Sequence, residues 1–285
     1  MKRVALIVVV VALIGGGIYW MYERGRGRDI PGTPPAGAPE AGTCYKVDAD
    51  GVKVALPWAG GPVDCAGGHT VELFHVGQVG KDLLHRLDDA KGDDVKVTQA
   101  LLYAQARRAC LAQGPLFLGG AWHETRLRIV ASWIKPATDG FFGCGVAEVT
   151  GPTGDRFVPH EGSLKGELAH GSALAIACIN QLQYVQCSAP HDGEYSGVYT
   201  ITPPEAPFDE TAVQSATAKG CTAVGLSYLG LSADGGRDDL TPGSVGPKTP
   251  NEWLGSDQAF TCYLMSAKPL KATVRGLGTA PLPLA

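Results

Sequence analysis

Cys187-Ser-Ala-Pro-His191-Asp-Gly-Glu194 and Cys65-Ala-Gly-Gly-His69-Thr-Val-Glu72 share the spacing C-x3-H-x2-E, and Val198 and Val76 follow at the same offset. A second pair of segments agrees independently. Cys110-Leu-Ala-Gln-Gly114-Pro-Leu-Phe117-Leu118-Gly119 and Cys221-Thr-Ala-Val-Gly225-Leu-Ser-Tyr228-Leu229-Gly230 both read C-x3-G-x2-aromatic-Leu-Gly. Trp133 then precedes Cys144 as Trp253 precedes Cys262, and Ser163-Leu-Lys-Gly166 is echoed by Thr273-Val-Arg-Gly276. Gapless agreements of this kind are the mark of an internal duplication. They predict two tandem copies, 43–168 and 169–278, with four cysteines in each and a short tail at 279–285.

Within each copy the pattern predicts strands around one main helix. Val71 to Val79 and Glu194 to Ile201 are rich in β-branched and aromatic residues and bordered by Gly and Pro, as are Arg126 to Ile134 and Ala259 to Met265. Val97 to Leu111 places Ala100, Leu101, Ala104 and Leu111 near one helical face, and Phe208-Asp209 opens the matching helix with an N-cap residue. Cys110 and Cys221 therefore fall late on helices. The expected class is α+β, each copy an antiparallel sheet with one main helix.

Four cysteines allow three pairings per copy, and spacing does not choose among them. We favour sequential pairing. Cys44 with Cys65 and Cys178 with Cys187 would tie adjacent antiparallel strands, while Cys110 with Cys144 and Cys221 with Cys262 would staple a helix to a sheet. None forms a CxxC, so their expected role is structural rather than redox.

The 8 cysteines, all after residue 43, also suggest a compartment. Paired cysteines belong to oxidising environments. Val4 to Tyr22 is an uncharged apolar stretch that, as a helix rising about 1.5 Å per residue, would span roughly 28 Å, close to the hydrocarbon thickness. Tyr19, Trp20 and Tyr22 cluster at its end and Arg24, Arg26 and Arg28 follow, the pattern of a helix anchored at an interface. No small-x-small cleavage site follows. We therefore expect residues 1–23 to be an uncleaved signal anchor, with the body outside the membrane. Residues 24–42, with Pro31, Pro34, Pro35 and Pro39 and no aliphatic run, read as a disordered spacer. The basic start leaves +3 on the first 29 residues, so with a net charge of −4 the rest carries −7. An acidic body does not suit a phosphate backbone, and nucleic acid is not an expected partner.

The second copy, from Cys187-Ser-Ala-Pro-His-Asp-Gly-Glu194 through the helix carrying Cys221 to Trp253-Leu-Gly-Ser-Asp-Gln-Ala-Phe-Thr-Cys262, resembles the septum-formation domain family of actinobacterial envelope proteins. The first copy resembles it less closely, since Gly68 and Thr70 stand where the second has Pro190 and Asp192. The resemblance implies a membrane-anchored, extracytoplasmic protein tied to cell division or the septal envelope. It supplies no catalytic residues.

The recurring ionisable residues are His191, Asp192 and Glu194, with His69 and Glu72 in the first copy. A metal or acid/base site is one reading. Residues three apart on a strand point to opposite faces, however, so His191 and Glu194 converge only if the chain turns between them. The plainer reading makes Pro190-His191-Asp192-Gly193 a tight turn whose side chains satisfy backbone groups. Trp253, like Trp133, is either a binding platform or core packing beside a disulfide. The chain lacks GxSxG, GxxxxGK[ST] and HExxH motifs. The reading that follows is a non-enzymatic binding or accessory protein of the envelope, without metal or cofactor, whose partner is an envelope polymer or a division protein. The alternative is a metal-dependent extracytoplasmic enzyme using His191 and Glu194.

Overall fold

The helix stripes set the architecture. On α2 (Asp93–Leu118) the buried positions include Thr98, Leu102, Ala106, Cys110, Gly114 and Leu118, and on α3 (Glu210–Leu229) they are Val213, Thr217, Cys221, Gly225 and Leu229. Each is an unbroken i, i+4 row, one narrow seam per helix lying on one sheet. The expected face through Ala100, Leu101, Ala104 and Leu111 is therefore displaced. Ala104 and Leu111 are buried, but Ala100 and Leu101 are only half-buried. The small residues in each row, Ala106, Cys110 and Gly114 on α2 and Thr217, Cys221 and Gly225 on α3, let the helix lie close to its sheet, which a count of large apolar residues does not register.

The computed structural model describes residues 37–47, 60–134, 140–154, 156–170, 172–176, 178–202 and 207–285. The apolar stretch Val4 to Tyr22 and most of the spacer lie outside these residues. Among the described residues no helix is long and apolar enough to cross a membrane.

The first sheet has the order β1-β2-β4-β3, from β1 (Thr43–Tyr45), β2 (Val71–Gln78), β3 (Leu127–Ile134) and β4 (Phe141–Val149), with β5 (Phe157–Val158) paired to the end of β4. The second has the order β7-β6-β8-β10-β9, from β6 (Cys178–Asn180), β7 (Gln183–Val185), β8 (His191–Thr200), β9 (Leu240–Val245) and β10 (Ala259–Leu270). Every pairing is antiparallel. Two shorter helices complete the fold, α1 (Lys81–Asp89) against α2 and α4 (Pro250–Leu254) ahead of β10. The class is α+β, with antiparallel sheets, a main helix on each and disulfide bonds.

Cap chemistry explains the helix limits. Asp209 accepts the Ala212 N–H at 2.8 Å to open α3, and Thr249 with Glu252 forms a reciprocal capping box on α4. Gly119 (φ 77°) and Gly230 (φ 74°) close α2 and α3 in the left-handed conformation that favours glycine. These are the final glycines of the two aromatic-Leu-Gly motifs. The earlier glycine of each motif has a packing reason: a Cβ on Gly114 would stand 2.8 Å from Ile129 Cδ1 on β3, and one on Gly225 would stand 2.7 Å from Leu264 Cδ2 on β10.

The two halves are joined along a seam, and the described chain from residue 37 belongs to one compact unit. Arg126 N–H donates to Leu174 O at 2.7 Å, Ile176 N–H to Glu124 O at 2.9 Å and Tyr184 N–H to Thr150 O at 2.8 Å. Tyr184 packs both with Val71, Ala147, Val149 and Phe157 of the first half and with Ile176, Ile179 and Tyr263 of the second. Residues 279–285 pair back onto the end of β10. Lys271 N–H donates to Pro283 O, Ala285 N–H to Pro269 O, and Leu282 and Leu284 pack against the core of Leu229, Leu240, Leu264, Leu270 and Val274.

Candidate functional site

The cysteines pair sequentially: Cys44–Cys65, Cys110–Cys144, Cys178–Cys187 and Cys221–Cys262. The second and fourth join a main helix to a strand of its sheet. In the other two, the second cysteine lies in a turn rather than on a strand, because the chain is already reversing before the strand that carries the glutamate.

That turn displaces the one expected at Pro190 to Gly193. It spans Cys187 to Ala189, and β8 begins at His191 itself. His191 is fully buried with Nδ1 2.8 Å from Ala189 O, and His69 is buried with Nδ1 3.2 Å from Gly67 O. Each ring closes the turn on a carbonyl two residues back. Asp192 Oδ2 accepts the Gln181 N–H at 3.1 Å, tying β8 to the β6–β7 turn where Gln181 and Leu182 adopt positive φ.

Glu72 and Glu194 are buried at 2% and 1% exposure. The Ser163 hydroxyl donates to Glu72 Oε1 and the Leu164 N–H to Oε2, both at 2.7 Å. The Thr273 and Tyr228 hydroxyls donate to Glu194 Oε1, and the Val274 N–H donates to Oε2 at 2.8 Å. Burial, with the bond to Glu194 after it, raises the Tyr228 hydroxyl well above the ordinary tyrosine range. Gly166 and Gly276, which end the two closing phrases, donate to Phe117 O and Tyr228 O at the last turns of α2 and α3, each at 2.9 Å. The three recurring motifs are thus one lock, made twice. A carboxylate grips a Ser/Thr-x-Lys/Arg-Gly segment, which in turn satisfies a helix-end carbonyl that would otherwise lack a partner.

The carboxylate oxygens also lie close to sulfur. Donor atoms of Glu72 with Cys44 and Cys65, and of Glu194 with Cys178 and Cys187, fall within 4.8 Å of one another. These sulfurs are bonded in disulfides and offer no thiolate to an ion. Neither His69 nor His191 joins these clusters. Trp253 is 5% exposed and packs with Phe208 (ring centroids 5.8 Å apart), Val213 and Phe260. Trp133 is half-buried against the first core. The residues singled out by recurrence therefore converge on the lock and on the cores.

An open site lies elsewhere, on the seam. A cleft of about 290 Å³ has β3 as one wall, through Leu127 to Ala131, and Ala259, Thr261 and Tyr263 of β10 as the other. Tyr103 and Arg107, one turn apart on α2, stand on it with Trp122, His123 and Asp257. His123 Nε2 lies 2.6 Å from Asp257 Oδ2, a bond between the halves. Burial alone would raise the Asp257 carboxyl, but the hydrogen bond and charge of His123 outweigh it and hold the group below the usual carboxylate range. Burial raises both Tyr184 and Tyr263 on the inner wall. None of these residues was marked by the sequence reading. The available signal was disagreement between copies: Trp122-His123 follows the first Leu-Gly motif and has no counterpart after the second.

A family model described as septum formation matches residues 41–262. The chain belongs to the septum-formation family. The match runs through both sheets as far as Cys262 on β10 and leaves the paired-back segment beyond it. The family links the protein to cell division. No curated protein and no solved structure matches the chain.

Proposed function

We propose that this member of the septum-formation family is a membrane-anchored, extracytoplasmic accessory protein of the envelope that acts by binding an envelope polymer or a division protein, without catalysis. Its two halves are tandem copies of one domain, 43–168 and 169–278. The observation that carries the binding reading is the fate of the recurring ionisable residues. Glu72 and Glu194 spend both carboxylate oxygens on the lock, and His69 and His191 are buried with Nδ1 turned onto a backbone carbonyl. Full disulfide pairing supports an oxidising location, and the apolar run Val4 to Tyr22 supports the anchor. The lock found at matching positions in both halves supports the duplication.

The test uses the full chain in detergent, incubated with isolated envelope polymer. Retention of the polymer without release of soluble fragments supports the proposal, and fragments that disappear with His191→Ala overturn it in favour of the enzyme. In cells, loss of the chain should disturb septation, and restoration by a chain without residues 4–22 would refute the need for an anchor.

A further inference from the structure

We propose that the cleft between the halves is a binding site for a carboxylate carried on a sugar ring, with Arg107 as the anion anchor and Tyr103 and Trp122 as its aromatic faces. This rests on the binding reading above and names its site and ligand class.

Arg107 is the starting point. It is half-buried, forms no ion pair among the described residues, and spends one N–H on Ile129 O at 3.1 Å. Ile129 O is a neutral acceptor on the cleft wall, so the guanidinium is oriented without being neutralised. Partial burial makes an unpaired cation costly, and an arriving carboxylate removes that cost while finding a planar fork of donors matched to its two oxygens. The stem is fixed as well. Gly255 at the end of α4 sits so close that a Cβ there would stand 3.2 Å from Ala104 Cα and 3.4 Å from Arg107 Cδ. The second half thus holds an arginine of the first, and the site exists only where both are present.

The surroundings choose the carrier. Tyr103, 39% exposed, lies one helical turn before Arg107, so the two share a face. The Trp122 ring lies against His123, centroids 3.8 Å apart, and His123 is itself held by Asp257. Fixed aromatic faces beside a planar ionic group suit a ring that presents C–H bonds on one side and a carboxylate at its edge. Of the other charged groups in the lining, Arg128 donates to Thr153 O, Glu252 accepts the Lys248 and Thr249 N–H groups, and Asp257 holds His123. A cleft of about 290 Å³ lies just below the range of ligand sites, about 300 to 1,000 Å³, and holds one ring-sized unit rather than a length of polymer.

The experiment is a calorimetric titration of the full chain, disulfides intact and in detergent, with a glucuronic-acid tetrasaccharide, the neutral glucose tetrasaccharide and an acidic tetrapeptide. Saturable one-to-one binding of the acidic sugar, at least tenfold tighter than either comparison ligand, is expected. Arg107→Gln should weaken it on the order of tenfold or more, since a charge-assisted pair is lost. Arg107→Lys, which keeps the charge and loses the fork, should fall between. Lys219→Gln, on the far helix, should change nothing. Unfolding midpoints of each variant separate a lost site from a lost fold. Equal affinity for the neutral sugar, tighter binding of the peptide, or an Arg107→Gln chain that binds as wild type overturns the proposal. A chain that retains envelope polymer yet ignores all three ligands refutes the cleft and leaves the binding reading intact. A chain that retains neither refutes both.

Discussion

Glu194→Gln tests the lock with one atom changed. The amide keeps the shape of the carboxylate but replaces one acceptor oxygen with an NH2 group. The Val274 N–H can only donate, and the Tyr228 and Thr273 hydroxyls both donate to the other oxygen. Either orientation of the amide turns its NH2 toward a group that was donating. A buried donor left without an acceptor costs about 1–3 kcal/mol, and losing charge assistance in the remaining bonds adds about 1 kcal/mol. We expect Glu194→Gln to lower stability by about 2–4 kcal/mol. For a chain of this size that is a fall in melting temperature of about 5–15 °C. The Glu72→Gln loss should be smaller, because Glu72 holds Ser163 and Leu164 and has no tyrosine. The assay is thermal and urea unfolding of the full chain with its disulfides intact. A Glu194→Gln chain within about 0.5 kcal/mol of wild type, or one less affected than Glu72→Gln, would refute the reasoning.

Three further outcomes are expected. Replacing Cys221 and Cys262 by Ala should cost about 4 kcal/mol, against about 2.5 kcal/mol for Cys178 and Cys187, because the bridges close 41 and 9 residues of chain; denaturant midpoints of the two double variants give the order. Removing residues 279–285 should expose the end of β10 and part of the Leu270 core, read as faster amide exchange at Lys271 and new cleavage near Lys271 in limited proteolysis. Asp257 is held below its ordinary value, so its stabilising contribution is present above about pH 4 and is lost as pH falls through the lower folded-state value. Asp257→Asn should therefore be less stable than wild type near pH 6 and converge with it toward pH 2, measured as urea midpoints across that range.

The sequence showed the frame more clearly than the cleft. C-x3-H-x2-E, C-x3-G-x2-aromatic-Leu-Gly and Ser/Thr-x-Lys/Arg-Gly were visible because each position answers to a local demand: a bridge, a closed turn, a helix packed near a strand, a left-handed cap. That these phrases touch one another was not visible, since Glu194 and Thr273 meet only once β8 and the residues after β10 are side by side. The i, i+4 stripes were misplaced for a related reason. Thr98, Gly114, Thr217 and Gly225 are buried for closeness rather than hydrophobicity, and a search for large apolar residues passes over them. The cleft is illegible for the opposite reason. Arg107, Trp122 and Asp257 obey no spacing, because they come from a helix, a short 3-10 turn (Trp122–Glu124) and a loop whose only relation is where the two halves meet.

The carboxylates also bear on how two of the bridges would be opened. Cys65 and Cys187 are the half-buried members of their pairs, so an attacking thiolate reaches them first. The sulfur it expels belongs to Cys44 or Cys178, which has no access to water and lies beside Glu72 or Glu194. A departing thiolate is poorly tolerated next to a fixed negative charge, so each glutamate slows reduction of the bridge at its side. The group that clamps the closing segment in place also serves as an electrostatic guard on the nearest covalent link.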